Sequence, residues 1–139
     1  MEHQTINILD LIPHRAPFIM IDTIEPGEHR NIWSRFYIAN DNILLEKEHF
    51  SESGLIENMA QTAGAGSGYI SSLDPGPGRV GYIGGLKNLH IYSFPVAGST
   101  IQTEVSYVNQ VMSALIVEGK VFQNEKLMAS CELRIFIQS

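Results

Sequence analysis

After Glu57 the chain runs "NMAQTAGAGSGYISSL" without an ionisable side chain until Asp74, apart from the phenol of Tyr69. The stretch from Ser53 to Leu73 is too long for an ordinary strand and has the length of a helix. Ser51 or Ser53 can accept a hydrogen bond from its first amides. A helix lying on a protein surface normally shows charged residues along its outer face. This one shows none past its second turn, so the sequence predicts a helix surrounded by other elements. Gly64, Gly66 and Gly68 each cost a helix interior about 1 kcal/mol relative to alanine, a cost that close approach of neighbouring elements to bare backbone can offset. The turn-rich "DPGPG" then stops the helix.

The rest of the chain is β-rich. "INILDLI" has helical spacing and ends at Pro13, which predicts one or two turns packed on the body. "FIMIDTIEP" and "RNIWSRFYIAN" read as strands separated by Pro26 and Gly27, the punctuation of a hairpin. Four further strands are expected in "RVGYIGGLKNLHIYS", "STIQTEVSYVNQ", "SALIVEGKVFQ" and "KLMASCELRIFIQ". They are joined by Pro95 with Gly98, by the region near Met112, and by Asn124 with Glu125. Ile101, Thr103, Val105 and Tyr107 alternate with Gln102, Glu104 and Ser106, the signature of a half-buried antiparallel strand. The expectation is a single α+β domain spanning residues 1–139, with a curved antiparallel sheet wrapped around the long helix.

Several function classes are set aside by composition. With a net charge of −6 and scattered basic residues, the chain has no stripe to track a phosphate backbone, so no nucleic acid is expected. Cys131 is alone, which excludes an intrachain disulfide, suits a reducing compartment and reads as a small buried residue. The amino terminus carries acidic residues and breaks at Pro13, unlike a secretory signal, and no uncharged apolar run reaches membrane-spanning length. A cytoplasmic protein is expected. "GAGSG" sits inside the helix rather than after a strand and is not a nucleotide loop. His3, His14, His29, His90 and Cys131 show no metal-ligand spacing, so no metal is expected.

Three places carry residues suited to chemistry. Glu57 stands near the start of the helix, and its helical neighbours Gln61, Gly64 and Gly68 are uncharged. It is either an acid beside a positive helix start or a carboxyl at the edge of an apolar cavity, where desolvation favours the protonated form. His49, just before the helix, is either a surface residue or a general base. Gly84 and Gly85 interrupt a strand pattern, which predicts a bulge, or a backbone amide open to a carbonyl oxygen that gains negative charge. Gly64, Ala65 and Gly68 either pack tightly against the sheet or leave a channel for an apolar chain.

At "LIPHRAPFIMIDTI", "GLIENMAQTAGA" and "GYIGGLKNLHIYSFPVAG" the chain resembles the hotdog-fold 3-hydroxyacyl-(acyl-carrier-protein) dehydratases, more closely the small branch associated with aryl-polyene and flexirubin pigments. The resemblance implies a hotdog domain and a dimer, of like or unlike subunits, with active sites at the interface. In that family a histidine and a helix glutamate from opposite subunits face the substrate. Glu57 in "IENMAQ" matches the glutamate. His49 in "EHF" resembles the histidine of a Gly-His-Phe-Pro motif, with Glu48 in place of the glycine and Ser51 in place of the proline. The segment between histidine and glutamate is shortened to "FSESGLI". Gly85 matches the glycine whose amide polarises the thioester carbonyl.

The resemblance implies removal of water from a 3-hydroxyacyl thioester, with His49 as base, Glu57 as acid and Gly85 as oxyanion donor. Gln61, Gly64, Gly84 and Lys87 would line the substrate site. No cofactor is implied, because the phosphopantetheine arrives with the acyl carrier protein. Lys87 and Arg79 are candidates to meet that acidic partner. Two rivals stay open: a non-catalytic or partner-dependent subunit that holds acyl chains, and an acyl thioesterase in which Glu57 activates water.

Overall fold

The hydroxyl oxygen of Ser51 accepts the Gly54 amide at 3.2 Å, and from that cap the helix α1 runs from Glu52 to Ser72. A computed structural model describes residues 6–73 and 80–138 of the chain. The expected "DPGPG" turn and Arg79 lie outside the described residues. Before α1 come β1 (Thr23–Pro26), β2 (Ile32–Tyr37) and a small hairpin of β3 (Leu45–Glu46) with β4 (His49–Phe50). After it come β5 (Val80–Ile91), β6 (Thr100–Val111), β7 (Ala114–Gln123) and β8 (Lys126–Gln138). Six strands form one antiparallel sheet in the order β1-β2-β6-β7-β8-β5. The sheet curves around α1, which touches every one of its strands. This is the α+β architecture expected from the sequence.

The helix is not covered on all sides. Leu55, Met59 and Ala63 are fully buried against the sheet, while Ile56, Glu57, Ala60, Gly64, Ser67 and Gly68 are only partly covered. The lack of charge on this second flank beyond Glu57 therefore reflects a cavity rather than a second packed layer. Ala65, expected with Gly64 and Gly68 along a channel, instead faces the core and is fully buried.

A network of buried polar side chains fixes where α1 sits. The Asn58 amide donates to the carbonyl of Met20 at 2.8 Å and accepts from the Thr103 hydroxyl on β6. Thr62 donates its hydroxyl proton to the Asn58 carbonyl at 2.7 Å, so Ser34 on β2 is the donor in the 2.7 Å contact between the two hydroxyls. Further along, Tyr107 donates to the Ala63 carbonyl at 2.8 Å, and burial pushes its phenol above the ordinary range. Unpaired polar groups in such a place are costly, so each bond selects one seating of the helix.

The same network explains why "FIMIDTIEP" is a strand only in its second half. The backbone amide of Met20 goes to the side-chain oxygen of Gln61 at 2.7 Å, and the Met20 carbonyl goes to Asn58. Helix side chains have taken the groups that a strand would offer to a neighbour. The β3–β4 hairpin was not expected either. Its turn is Lys47-Glu48, both at positive φ (52° and 65°), in a conformation that Asn-Gly usually signals.

Cys131 is buried beside Met59, Sγ to Sδ 3.6 Å, and desolvation pushes its thiol up to about 12. Among the described residues no helix is long and apolar enough to cross a membrane.

Two substitutions probe the seating of α1. Asn58→Leu leaves the Thr103 hydroxyl and the Met20 carbonyl without partners and should lower unfolding free energy by about 2–4 kcal/mol. Gly66→Ala would place a methyl 2.5 Å from the Tyr107 oxygen and 2.7 Å from Ile32 Cγ1, a collision expected to cost about 1–3 kcal/mol. Urea denaturation with unchanged slope checks both; midpoints equal to the wild type would contradict this account of the packing.

Candidate active site

Residues spaced by one helical turn share a face, and Glu57, Gln61, Gly64 and Gly68 follow that spacing along the partly covered flank of α1. All four line a cavity of about 810 Å³. Its opposite wall is apolar: Ile83 and Leu86 of β5, Leu133 and Ile135 of β8. The segment from Leu11 to His14 closes a third side, following a 3-10 turn at Ile8–Asp10 that realises the expected helical turn. Among the described residues a methyl group on Gly64 would meet nothing within 4 Å, and one on Gly68 would reach Leu11 at 3.5 Å. The missing side chains thus leave room where the helix faces the cavity.

One polar cluster interrupts this apolar lining. Gln61 is 2% exposed, and its amide orientation is fixed on both ends. Its oxygen accepts the Met20 amide, while its nitrogen donates to the Phe18 carbonyl at 2.9 Å and to Oε2 of Glu57 at 3.0 Å. The Glu57 side chain is 47% exposed, with His14 Nε2 at 3.9 Å from the same Oε2. The arrangement is a carboxyl held by a rigid amide at the side of an apolar hollow, able to exchange a proton with something bound there.

His49 lies elsewhere. It is exposed on β4, with Nδ1 2.8 Å from the Lys47 carbonyl. With Phe50, Ser51 and Phe94 it lines a separate hollow of about 550 Å³. Among the described residues of one chain, the histidine beside Glu57 is His14. Sequence reasoning considered His14 only as a metal ligand, because no local pattern ties the end of the amino-terminal turn to the middle of α1.

The two strand glycines part company. Gly85 lines the cavity, with the nearest side-chain atom to a methyl there 3.8 Å away on Arg134. Gly84 sits at the bulge between the pairings of Ile83 and Gly85, and a methyl on it would enter the ring of Phe136. The bulge was expected; Gly84, expected at the substrate site, does not line the cavity, and its bareness serves packing on Phe136. Lys87 is exposed, opposite Glu132 in the ladder, and is not part of the cavity wall.

The cavity makes Gly64 a direct probe. Gly64→Ala should stabilise the protein by about 0.5–1 kcal/mol, because it adds helix propensity without a collision, whereas Gly64→Leu should fill the hollow and weaken binding of an apolar probe dye. Thermal melts and dye titration check the pair, and loss of stability in Gly64→Ala would mean that the space is not there.

Comparison with known proteins shows the family and the fold. The chain matches the ApeP-like family, described as ApeP dehydratase, over residues 6–139. It is 29% identical over 144 residues to the 3-hydroxyacyl-(acyl-carrier-protein) dehydratase FabZ of Clostridium tetani, with 94% of each chain covered. It is 30% identical over 150 residues to FabZ of Clostridium kluyveri, covering 99% of this chain and 97% of that one. Among solved structures, the dehydratase heterocomplex ApeI:P from Xenorhabdus doucetiae matches with a TM-score of 0.83 at 16% identity, over 99% of this chain and 93% of that one. The PaaI protein of the E. coli phenylacetic acid degradation operon, 8% identical, matches with a TM-score of 0.67 over 81% and 80%. At such identities a structural likeness shows the hotdog fold and not the reaction. The family match and the extent of the FabZ similarity together make this chain a member of the ApeP-like dehydratase family, related to the FabZ enzymes.

Proposed function

We propose that the protein removes water reversibly from a 3-hydroxyacyl thioester carried on an acyl carrier protein, giving a trans-2-enoyl product. The observation that carries this reading is the carboxyl of Glu57, pinned by Gln61 at the side of an apolar cavity of about 810 Å³. A saturated acyl chain can occupy such a hollow along Gly64 and Gly68, with its polar end at the carboxyl. Protonated Glu57 donates to the departing hydroxyl, which leaves as water. A base takes the proton beside the thioester carbonyl, and the Gly85 amide stabilises the negative charge that develops on the carbonyl oxygen. The reaction moves protons only and needs no cofactor beyond the carrier's own arm.

The base in this reading is His49 of a second protomer. His49 and Glu57 of one chain line different hollows, so a complete site requires two subunits. β5 supplies an edge for such pairing, since it is one of the two edge strands of the sheet and exposes Ile83 and Leu86. The name of the ApeI:P heterocomplex supports a pair of unlike hotdog subunits as readily as a homodimer. In this reading Lys87, exposed on the same strand, meets the acidic carrier near the cavity. The finer role in aryl-polyene or flexirubin synthesis, and a cytoplasmic location, follow from the resemblance to that branch.

Hydrolysis of the thioester and a purely supporting role are the alternatives. Mass spectrometry of 3-hydroxyacyl and enoyl carrier-protein substrates separates them: enoyl product supports dehydration, free acid supports hydrolysis, and neither, with a second hotdog subunit added, supports an inert subunit. Glu57→Gln should reduce turnover about a hundred-fold or more while the dimer stays folded. Unchanged turnover would remove Glu57 from the acid role, and a fully active His49→Ala would place the base elsewhere.

A further inference from the structure

The hydrogen bonds around Glu57 are unevenly shared between its two oxygens. Oε2 accepts from Gln61 at 3.0 Å and faces His14 Nε2 at 3.9 Å. Oε1 has no hydrogen-bond partner among the described residues. Gln61 cannot turn its amide over, because the Met20 amide needs its oxygen and the Phe18 carbonyl needs its nitrogen. Whatever else approaches Oε2, one fixed donor is already there.

His14 is equally constrained. Arg15 holds the loop that carries it, donating from Nη1 to the carbonyls of Ile12 at 3.1 Å and of His14 itself at 2.7 Å, and from Nη2 to the Leu9 carbonyl at 3.2 Å. The side chain lines the cavity and is 36% exposed, yet its Nδ1 is fully covered and has no partner among the described residues. Of the two neutral tautomers, the one with its proton on Nδ1 would bury a donor with no acceptor. It would also turn a lone pair on Nε2 toward the carboxyl oxygen. The tautomer with its proton on Nε2 does neither, and presents a donor to Oε2.

We propose that His14 is a positioning residue for Glu57, donating from Nε2 to Oε2 opposite Gln61 so that the acid's own proton resides on Oε1. An oxygen that accepts from two donors is the carbonyl oxygen of a protonated carboxyl, and the hydroxyl is then the other one. The gap of 3.9 Å closes to a hydrogen bond when a ligand fills the hollow, as is common for catalytic contacts that are loose in the empty site. The proposal rests on the reading of Glu57 as the acid. It adds that the acid is oriented within its own chain, by two residues from separate elements, before any partner subunit contributes.

The test has an arm that is independent of turnover. Nitrogen-15 NMR of the histidine side chains, under conditions where the imidazole is neutral, should show the Nε2–H tautomer for His14, and Glu57→Gln should move its Nε2 resonance. The Nδ1–H tautomer, or a resonance indifferent to Glu57→Gln, would overturn the proposal. In the kinetic arm, His14→Gln places an amide nitrogen near the position of Nε2 and should keep kcat within about three-fold, whereas His14→Ala and His14→Asn should lower kcat about ten-fold or more with KM little changed. An unchanged kcat in His14→Ala, or no rescue by His14→Gln, would also overturn it. Circular dichroism confirms that the variants fold. If the wild type yields no enoyl product, the proposed dehydratase reading fails, and the NMR arm still decides whether His14 donates to Glu57.

Discussion

The amide of Gln61 takes the backbone amide of Met20 on one side and gives its protons to the Phe18 carbonyl and the Glu57 carboxyl on the other. Three parts of the molecule meet at that group: the extended segment leading into β1, the helix α1 and the mouth of the cavity. A glutamine that is 2% exposed must satisfy every polar atom it carries, because the alternative is an unpaired group away from water. Its partners therefore dictate each other's positions. The carboxyl is aimed by the same bonds that stop the segment before β1 from joining the sheet.

The helix has two flanks with opposite demands. Toward the sheet, Gly66 is bare because Tyr107 and Ile32 occupy the space a methyl would need. Toward the cavity, Gly64 is bare with nothing nearby. Beyond Glu57 charge is absent from both flanks, for tight packing on one and for an apolar hollow on the other. That common absence is why the sequence suggests a helix enclosed all round, when one side in fact borders a hollow.

Much of the architecture was legible. The long helix and the four strands after it carry their own signals in length and alternation, and their boundaries lie within a residue or two of those expected. The β3–β4 hairpin was not legible, since two residues per strand are too few to show alternation and Lys47-Glu48 is an uncommon pair for that turn. At the site, Glu57, Gln61, Gly64 and Gly68 were readable because helical spacing alone aligns them. His14 was not, because its approach to Glu57 depends on how the amino-terminal turn docks. Nor could the Gly84-Gly85 pair reveal which member faces the hollow, which depends on where the bulge with β8 falls.

The loop bearing His14 is pinned in a way that matters for measurements in solution. Arg15 directs its guanidinium to the carbonyls of Leu9, Ile12 and His14, so the restraint is made with backbone dipoles at contact distance rather than with a carboxylate. Such bonds rely on the planar fork of arginine, which a lysine ammonium does not reproduce, and added electrolyte weakens them far less than attraction between separated charges. The rim of the hollow accordingly keeps its shape as ionic strength rises, and whatever sensitivity to salt the protein shows toward a charged macromolecule reports on docking at the outer surface.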